Sequence, residues 1–341
     1  MVVNLKKILK HNDSQEIKKM QTLFEQHGWC FVKLPKELIP ESKLVKDLTT
    51  FFESDKSKQE YSNEAQIYGY SKVDHKEGFK LLTGSHFKDM VSNGLFIPHG
   101  PVLTQMNYLC QAFDIVSKRL IEVLDQHCVF QEQPSLSTLI EKADLPLKDE
   151  HFGMLDIVSY FNQKSGIQTS NNAALTSEVN CVAHYDPGLL SISILSTFQG
   201  LQLQDRITDQ WIDGPLESNI GVIWLGEAAS RITNNRLKPG IHRVIYPSQQ
   251  KRRLTIWYEL CTTQQLENLS DKNKTEPMPG GTVMFDNLLH TGGINVRPNE
   301  NKLAFLKRTE QSFGISASKT GIPYYTDFAE LNLPYKSNAD E

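Results

Sequence analysis

The stretch Cys181–Asp186, with the sequence CVAHYD, places a histidine and an aspartate two positions apart at the end of a β-rich run. In a β-strand, residues i and i+2 point to the same face, so His184 and Asp186 can present an imidazole and a carboxylate to one metal ion. A histidine from a neighbouring strand would complete a set of two histidines and one carboxylate, which leaves three adjacent positions on a metal open. The sequence therefore predicts a metal centre built on β-strands.

His242 is the predicted third ligand, because it opens another β-rich run, HRVIY, at residues 242–246. His290 is the rival, in the segment FDNLLHTGG, with Arg297 seven residues beyond it. A role in a substrate pocket or lid is the second interpretation of that segment, and a purely structural role is the third.

The same two-residue spacing occurs at His11–Asp13 and, with glutamate, at His75–Glu77. Both pairs lie in polar segments that we expect to be exposed to solvent. Neither is followed by a suitably placed histidine and arginine, so neither pair is predicted to bind metal.

A polar pair shares one face of the run that begins at Arg253. Alternation along this strand places Arg253 and Thr255 opposite Leu254 and Ile256. A guanidinium and a hydroxyl side by side suit the distal carboxylate of a dicarboxylic acid such as 2-oxoglutarate. The alternative is that Arg253 belongs to a solvated basic run with its two preceding residues.

The sequence pattern changes from mainly helical to β-rich at about residue 150. Upstream, apolar spacing and turn signals predict helices over 14–27, 41–53 and from Pro101 to about Cys128, with a short strand from Trp29. Residues 54–100 are polar and are expected to be irregular. Downstream, short β-rich runs separated by Gly, Pro, Asn and Asp predict a jelly-roll or related sandwich.

These patterns predict a mainly β fold with flanking helices and a three-part organisation. Residues 1–150 would form a helical N-terminal region, 151–262 the catalytic jelly-roll core, and 263–341 a C-terminal extension that completes or covers the core. The polar stretch 162–177 is predicted to be a mobile loop. Three tryptophans in the β-rich part are interpreted as core residues: Trp211, Trp224 and Trp257.

Composition narrows the class of protein. The 341 residues include 39% hydrophobic and 22% charged residues, which is ordinary for a globular protein with a sizeable core. The net charge of −4 argues against nucleic acid as a partner. The first 20 residues lack a signal-peptide pattern, no long apolar run predicts a membrane span, and the five cysteines are dispersed. We expect a cytoplasmic protein with no membrane partner, and a monomer.

The ordered motifs together resemble the isopenicillin N synthase-like branch of the Fe(II)/2-oxoglutarate-dependent dioxygenases. The resemblance is carried by His184–Asp186, Gly188–Leu195, Gly200–Leu203, Trp211, Leu225–Glu227, Asn235–Lys238, His242–Val244 and Arg253–Thr255, with weaker matches at His27–Val32, Gly69–Tyr70 and Lys76–Phe79. Their order and approximate spacing match the catalytic domain of that family.

The resemblance implies a double-stranded β-helix that binds Fe(II) through His184, Asp186 and His242, and that uses 2-oxoglutarate and O2. Arg253 and Thr255 would bind 2-oxoglutarate, and Tyr160 is similar in position to a tyrosine that helps to hold it. The expected reaction is hydroxylation, desaturation or ring closure of a small organic molecule, with release of succinate and CO2.

Two departures from the family pattern concern the co-substrate. The usual Arg-x-Ser is Arg-x-Thr here, and Val158 stands where an asparagine is common. Two alternative functions stay open: an iron oxidase of the same fold that uses no 2-oxoglutarate, and a non-catalytic binding protein on this scaffold.

Overall fold

The structure is a computed structural model, and it describes residues 2–54, 58, 69–73, 76–82, 100–127, 135–140, 153–161, 179–186, 188–233, 236–246 and 251–261. The strands are β1 (Val2–Asn4), β2 (Trp29–Lys33), β3 (Gly69–Val73), β4 (Lys76–Leu82), β5 (Gly153–Tyr160), β6 (Val179–His184), β7 (Leu190–Ser196), β8 (Leu201–Gln204), β9 (Trp211–Asp213), β10 (Ile220–Leu225), β11 (His242–Ile245) and β12 (Arg253–Leu260). The helices are α1 (Leu5–His11), α2 (Ser14–Gln26), α3 (Ser42–Glu53), α4 (Gly100–His127) and α5 (Glu227–Ile232), with short 3-10 helices at Lys36–Leu38 and Leu136–Leu139.

Two sheets contain all of these strands. The large sheet has the order β1-β2-β10-β7-β12-β5-β4-β3, and the small sheet has the order β6-β11-β8-β9. Side chains from both sheets pack together in two apolar clusters: Trp29, Val222 and Trp224 with Leu201 and Leu203, and Val158 and Tyr160 with Val244. The face of the large sheet that meets the small sheet is called the inner face below.

The opposite face of the large sheet packs against the helices. Leu254, Ile256 and Tyr258 of β12 belong to the main hydrophobic core, together with Phe113 and Leu120 of α4. Because side chains alternate along a strand, this arrangement places Arg253 and Thr255 on the inner face. Packing of one face of β12 against the helices, called the helix side below, thus determines which residues of β12 face the space between the two sheets.

Helix α2 begins where its sequence provides a cap. The side chain of Asp13 accepts hydrogen bonds from the backbone N–H groups of Gln15 and Glu16, an arrangement typically worth about 1 kcal/mol. The helix begins at Ser14, as the sequence predicts. Asp13 therefore has a structural role as the cap of α2.

Gly28 connects the end of α2 to β2 and lies close to the backbone of Lys238. Its φ of +79° lies in the left-handed region, and a Cβ there would lie 2.5 Å from the carbonyl oxygen of Lys238. Its own carbonyl oxygen accepts a hydrogen bond from the backbone N–H of Leu225, at 2.9 Å. Glycine is required here for both the backbone angle and the close approach.

The prediction of a mainly β fold with a helical N-terminal region is confirmed, and the β-rich runs that contain His184, His242 and Arg253 are strands β6, β11 and β12. The expectation that residues 54–100 are irregular is wrong in part, because β3 and β4 form a hairpin at the edge of the large sheet. The loop 162–177, the extension 263–341, His290 and Arg297 lie outside the described residues. The three-part division stays a prediction.

No helix within the described ranges is long and apolar enough to cross a membrane.

Candidate metal centre

His184 and His242 are neighbours across the small sheet. Strands β6 and β11 pair antiparallel with His242 opposite His184, and the two imidazole rings have centroids 4.2 Å apart. Asp186 follows two residues after the end of β6 and is buried. Pairing in register is therefore what brings the three predicted ligands to one point.

The three side chains form a compact set of ligand atoms. Oδ1 of Asp186 lies 3.8 Å from Nε2 of His184 and 3.7 Å from Nε2 of His242. One ligand atom from each residue lies within 4.8 Å of the others, and this is the single such cluster among the residues that the structure describes. Two imidazole nitrogens and one carboxylate oxygen suit Fe(II), so the residues present fit that metal.

The second oxygen of Asp186 is engaged by protein donors. Oδ2 accepts hydrogen bonds from Oγ of Ser191, at 2.5 Å, and from Nε1 of Trp224, at 2.6 Å. Burial alone would raise the pKa of Asp186, but the two histidines and these two donors outweigh burial and hold its pKa below the usual value. Asp186 is therefore a carboxylate at neutral pH, with Oδ1 directed towards the histidines.

The tautomer of His242 is fixed by its backbone neighbour. Nδ1 lies 3.2 Å from the carbonyl oxygen of Gly240, which can only accept, so Nδ1 carries the proton and Nε2 is available to a metal. The pKa of His242 is lowered to about 4, first by burial and then by the neighbouring His184, while Asp186 and Gly240 oppose this only in part. His242 is consequently neutral at pH 7, as a metal ligand must be.

Arg253 is the first residue of β12 and lies on the inner face. It is 1% exposed, and its Nε donates a hydrogen bond to Oγ of Ser196 at 2.8 Å. Its guanidinium carbon lies 5.2 Å from the ring centroid of Tyr160, which is its partner in register on β5. The buried position contradicts the alternative that Arg253 belongs to a solvated basic run.

Thr255 lies on the inner face next to Arg253. It is buried, and its hydroxyl oxygen lies 3.5 Å from that of Ser193 on β7. Leu195 has a φ of +53°, and the register between β7 and β12 shifts at this point, so that Ser196 and not Leu195 lies opposite Thr255. This bulge is what places the Ser196 hydroxyl beside Arg253.

The residue before Arg253 points to the opposite face and is held there. Nη1 of Arg252 donates a hydrogen bond to Oε1 of Glu77 at 2.7 Å. Oε2 of the same glutamate accepts from the hydroxyl of Tyr70 at 2.7 Å and from Nζ of Lys58 at 3.0 Å. Of two consecutive arginines, Glu77 thus binds the first on the helix side, and the second enters the inner face.

Glu77 itself differs from what its sequence suggests. It is 1% exposed, so the expectation of a solvent-exposed segment is wrong for this residue. Burial alone would raise its pKa, but the hydrogen bonds from Tyr70, Arg252 and Lys58 outweigh burial and lower it. Glu77 is therefore a buried, ionised group in a cluster with two cations.

The structure brings together each predicted site residue with its expected neighbours, and it adds several that sequence reasoning missed. Ser191, Trp224 and Gly240 contact the candidate metal ligands, and Ser196 contacts Arg253. The interpretation of Trp224 as a core residue is confirmed by its 3% exposure but leaves out its bond to Asp186. Val158, in place of the common asparagine, packs in an apolar cluster with Tyr160 and Val244.

Comparison with protein families matches residues 160–262 to the 2OG-Fe(II) oxygenase superfamily. The match includes the three candidate metal ligands together with Tyr160, Arg253 and Thr255. The 2-oxoglutarate-dependent dioxygenase citB of Monascus ruber is 34% identical over 76 residues, which are 22% of this chain and 23% of that protein. The 2-oxoglutarate-Fe(II) type oxidoreductase hxnY of Emericella nidulans is 36% identical over 70 residues, 20% of each chain. These alignments span less than a quarter of the length of either relative.

Solved structures agree on the fold. The dioxygenase for auxin oxidation 1 of Arabidopsis thaliana, in its 2-oxoglutarate complex, aligns with a TM-score of 0.59 and 16% identity over 76% of this chain and 92% of that one. A full-length protein of Neurospora crassa, solved with alpha-KG and 5-formyluracil, aligns with a TM-score of 0.58 and 17% identity over 77% and 84%. The chain therefore has the fold of these structures, and residues 160–262 are the part that is similar to the 2OG-Fe(II) oxygenase superfamily.

Proposed function

We propose that this protein is an Fe(II)- and 2-oxoglutarate-dependent oxygenase that oxidises a small organic molecule. The observation that carries the proposal is the set of His184, Asp186 and His242, whose ligand atoms lie within 4.8 Å of one another inside the matched domain. Hydroxylation is the default outcome, and desaturation or ring closure would use the same centre.

The metal ligands would be these three side chains. Bound Fe(II) with 2-oxoglutarate and O2 supplies the oxidising chemistry, in which the keto acid becomes succinate and CO2 while the substrate is oxidised. The protein contributes a neutral imidazole at His242, an ionised carboxylate at Asp186 and a fixed arrangement of both. The His184 side chain is 25% exposed against 7% for His242, so substrate is expected to approach on the His184 side.

Arg253 and Thr255 would hold the distal carboxylate of 2-oxoglutarate. A buried guanidinium and a hydroxyl on one face provide charge-assisted and neutral hydrogen bonds to a carboxylate. Tyr160 packs against the guanidinium of Arg253 and restricts where it can point. Residues of both sheets exclude water around this pair, which strengthens its interaction with an anion.

The absorption band of a metal-chelated keto acid provides a direct test. Under anaerobic conditions, the wild-type protein with Fe(II) and 2-oxoglutarate is expected to show this metal-to-ligand band, and His242→Ala is expected to lose it. A wild type without the band, or a His242→Ala variant with an unchanged band, would refute the proposal.

Product analysis separates the two alternative functions. Succinate formed from 2-oxoglutarate, with or without added substrate, supports the proposed reaction. A protein that binds Fe(II) and consumes O2 without forming succinate would be an oxidase of the same fold. A protein that does not bind Fe(II) anaerobically would be a binding protein on this scaffold.

We further propose that the protein belongs to the isopenicillin N synthase-like branch and acts on a small molecule, without nucleic acid or membrane partners. We also propose that it is a cytoplasmic monomer. The order of the motifs supports the branch. The net charge of −4 supports the absence of nucleic acid. Three buried free cysteines, Cys30, Cys110 and Cys261, support a reducing compartment. Mass photometry of the purified protein tests whether it is a monomer, and localisation of a tagged copy tests whether it is cytoplasmic.

A further inference from the structure

The two oxygens of Asp186 are in different environments. Oδ1 lies 3.8 and 3.7 Å from the Nε2 atoms of His184 and His242. Oδ2 accepts two hydrogen bonds, from Ser191 at 2.5 Å and from Trp224 at 2.6 Å. A carboxylate oxygen has two lone pairs, so these two donors occupy both lone pairs of Oδ2.

We propose that Ser191 and Trp224 are positioning residues that restrict Asp186 to binding the metal through Oδ1 alone. The proposal rests on the proposed function. Carboxylates bind metals through either one oxygen or both. A second oxygen from Asp186 would occupy one of the three positions that two histidines and one carboxylate leave open. A keto acid needs the other two positions, so no position would then remain for O2.

The two donors are themselves held in place. Trp224 on β10 and Ser191 on β7 are partners in register, and both are buried. The indole of Trp224 also packs against the ring of His242, with centroids 4.4 Å apart and planes inclined by 36°. A Cβ on Gly240 would lie 2.4 Å from Cβ of Trp224, so the tryptophan fits because residue 240 is glycine. One side chain therefore contacts two of the three ligands.

This arrangement predicts different effects on the metal and on the position left for O2. If both donors are removed, Oδ2 becomes free to bind the metal as a fourth protein ligand atom. Metal affinity should then be kept or increased, while a small anion such as azide should bind the metal less tightly once 2-oxoglutarate is bound. A purely supporting role in the core would instead weaken both affinities together, as loss of outer partners usually does.

The test uses Co(II) as the metal probe, in the full chain, with the double variant Ser191→Ala/Trp224→Phe. We expect its Co(II) dissociation constant to stay within about 3-fold of wild type or to decrease, and the azide dissociation constant of its Co(II)–2-oxoglutarate complex to rise about 10-fold or more. The visible Co(II) absorption, which weakens as coordination number rises, should decrease in the variant. Trp29→Phe is the matched control, because Trp29 is in the same apolar cluster and its Nε1 donates to Gln204 at 2.7 Å, away from the ligands.

Single variants keep the test informative if the double variant does not fold. Ser191→Ala removes one oxygen atom from a fully buried residue and should produce the same pattern at smaller amplitude. Equal losses of Co(II) affinity and of azide affinity, or no change in either, would overturn the proposal. A wild type that binds neither Co(II) nor 2-oxoglutarate would instead refute the proposed function, which distinguishes the two failures.

Discussion

The metal centre and the arginine site, at opposite ends of the inner face, hold their essential side chains in different ways. At the metal centre, donors on the inner face itself contact the ligands, as Ser191 and Trp224 contact Asp186. At the arginine site, Glu77 binds Arg252 on the helix side of the sheet, which favours Arg253 as the arginine on the inner face. A substitution near the metal centre should therefore alter the position of one ligand. A substitution near the arginine site should instead alter whether Arg253 or Arg252 lies on the inner face.

The largest effect is expected from the centre of the metal site. Asp186→Asn removes the charge that stabilises the bound cation, and Fe(II) affinity should fall by more than the roughly 10- to 100-fold that follows loss of an outer-shell partner. Anaerobic calorimetry measures this affinity. Asp13→Asn is the matched control, because it stands in the other histidine-x-aspartate pair and caps α2. A similar loss in both variants would contradict the assignment of the ligands.

A smaller effect is expected at the other end of the inner face. Arg253→Met removes a charge-assisted hydrogen bond worth about 1.5–3 kcal/mol, so the 2-oxoglutarate dissociation constant should rise about 10- to 100-fold. Fe(II) affinity without 2-oxoglutarate should not change. Lys251→Met, an exposed neighbour in the same basic run, is the control. Equal sensitivity of the two variants would show that the run acts only through its total charge.

The Glu77 cluster should connect stability with co-substrate binding. Glu77→Ala leaves Lys58 buried without its carboxylate, and removal of one partner from a buried ion pair typically costs about 3 kcal/mol of unfolding free energy or more. 2-Oxoglutarate binding should weaken less than in Arg253→Met, since Arg253 keeps its own contact with Ser196. Urea denaturation measures the first effect. Glu37→Ala, at an exposed pair with Lys10, should cost less than about 1 kcal/mol.

The smallest effect is a pH dependence at the metal end. The pKa of His242 is lowered from 6.5 to about 4 in the folded protein, so the unfolded chain binds more protons between these values. The metal-free protein should therefore lose stability as pH falls from about 6.5 to 4, whereas the guanidinium of Arg253 keeps its charge over this range. His242→Phe should reduce this slope in denaturation curves measured at pH 7 and pH 5. An unchanged slope would show that other groups cause it.

The sequence predicts most of what depends on local pattern. Period-two alternation correctly places Arg253 and Thr255 on one face, and the spacing of His184 and Asp186 correctly brings them together. The hairpin β3–β4 was not predicted, because three lysines, one glutamate and two glycines interrupt the apolar alternation of its twelve residues. Its role in the sheet is visible only from the pairing of β4 with β5.

The positions of Ser191, Trp224 and Ser196 depend on strand register and on a bulge. Trp224 meets Ser191 because β10 pairs with β7 in one particular register, and Ser196 turns inward because the chain bulges at Leu195. Neither property has a signal in a single sequence, since alternation alone would place Leu195, not Ser196, in the inner row. The partners of the site residues are therefore the part that sequence reasoning could not supply.

Gly28 has a consequence for how this protein could be divided or recombined. Its carbonyl oxygen binds the N–H of Leu225, next to Trp224, and its α-carbon lies against the segment that leads to Gly240 and His242. The chain at Gly28 therefore supports the backbone next to Trp224 and Gly240. A gene fragment that encodes only residues 160–262 would lack this support, and exchange of N-terminal halves between relatives should disturb iron binding before it disturbs co-substrate binding.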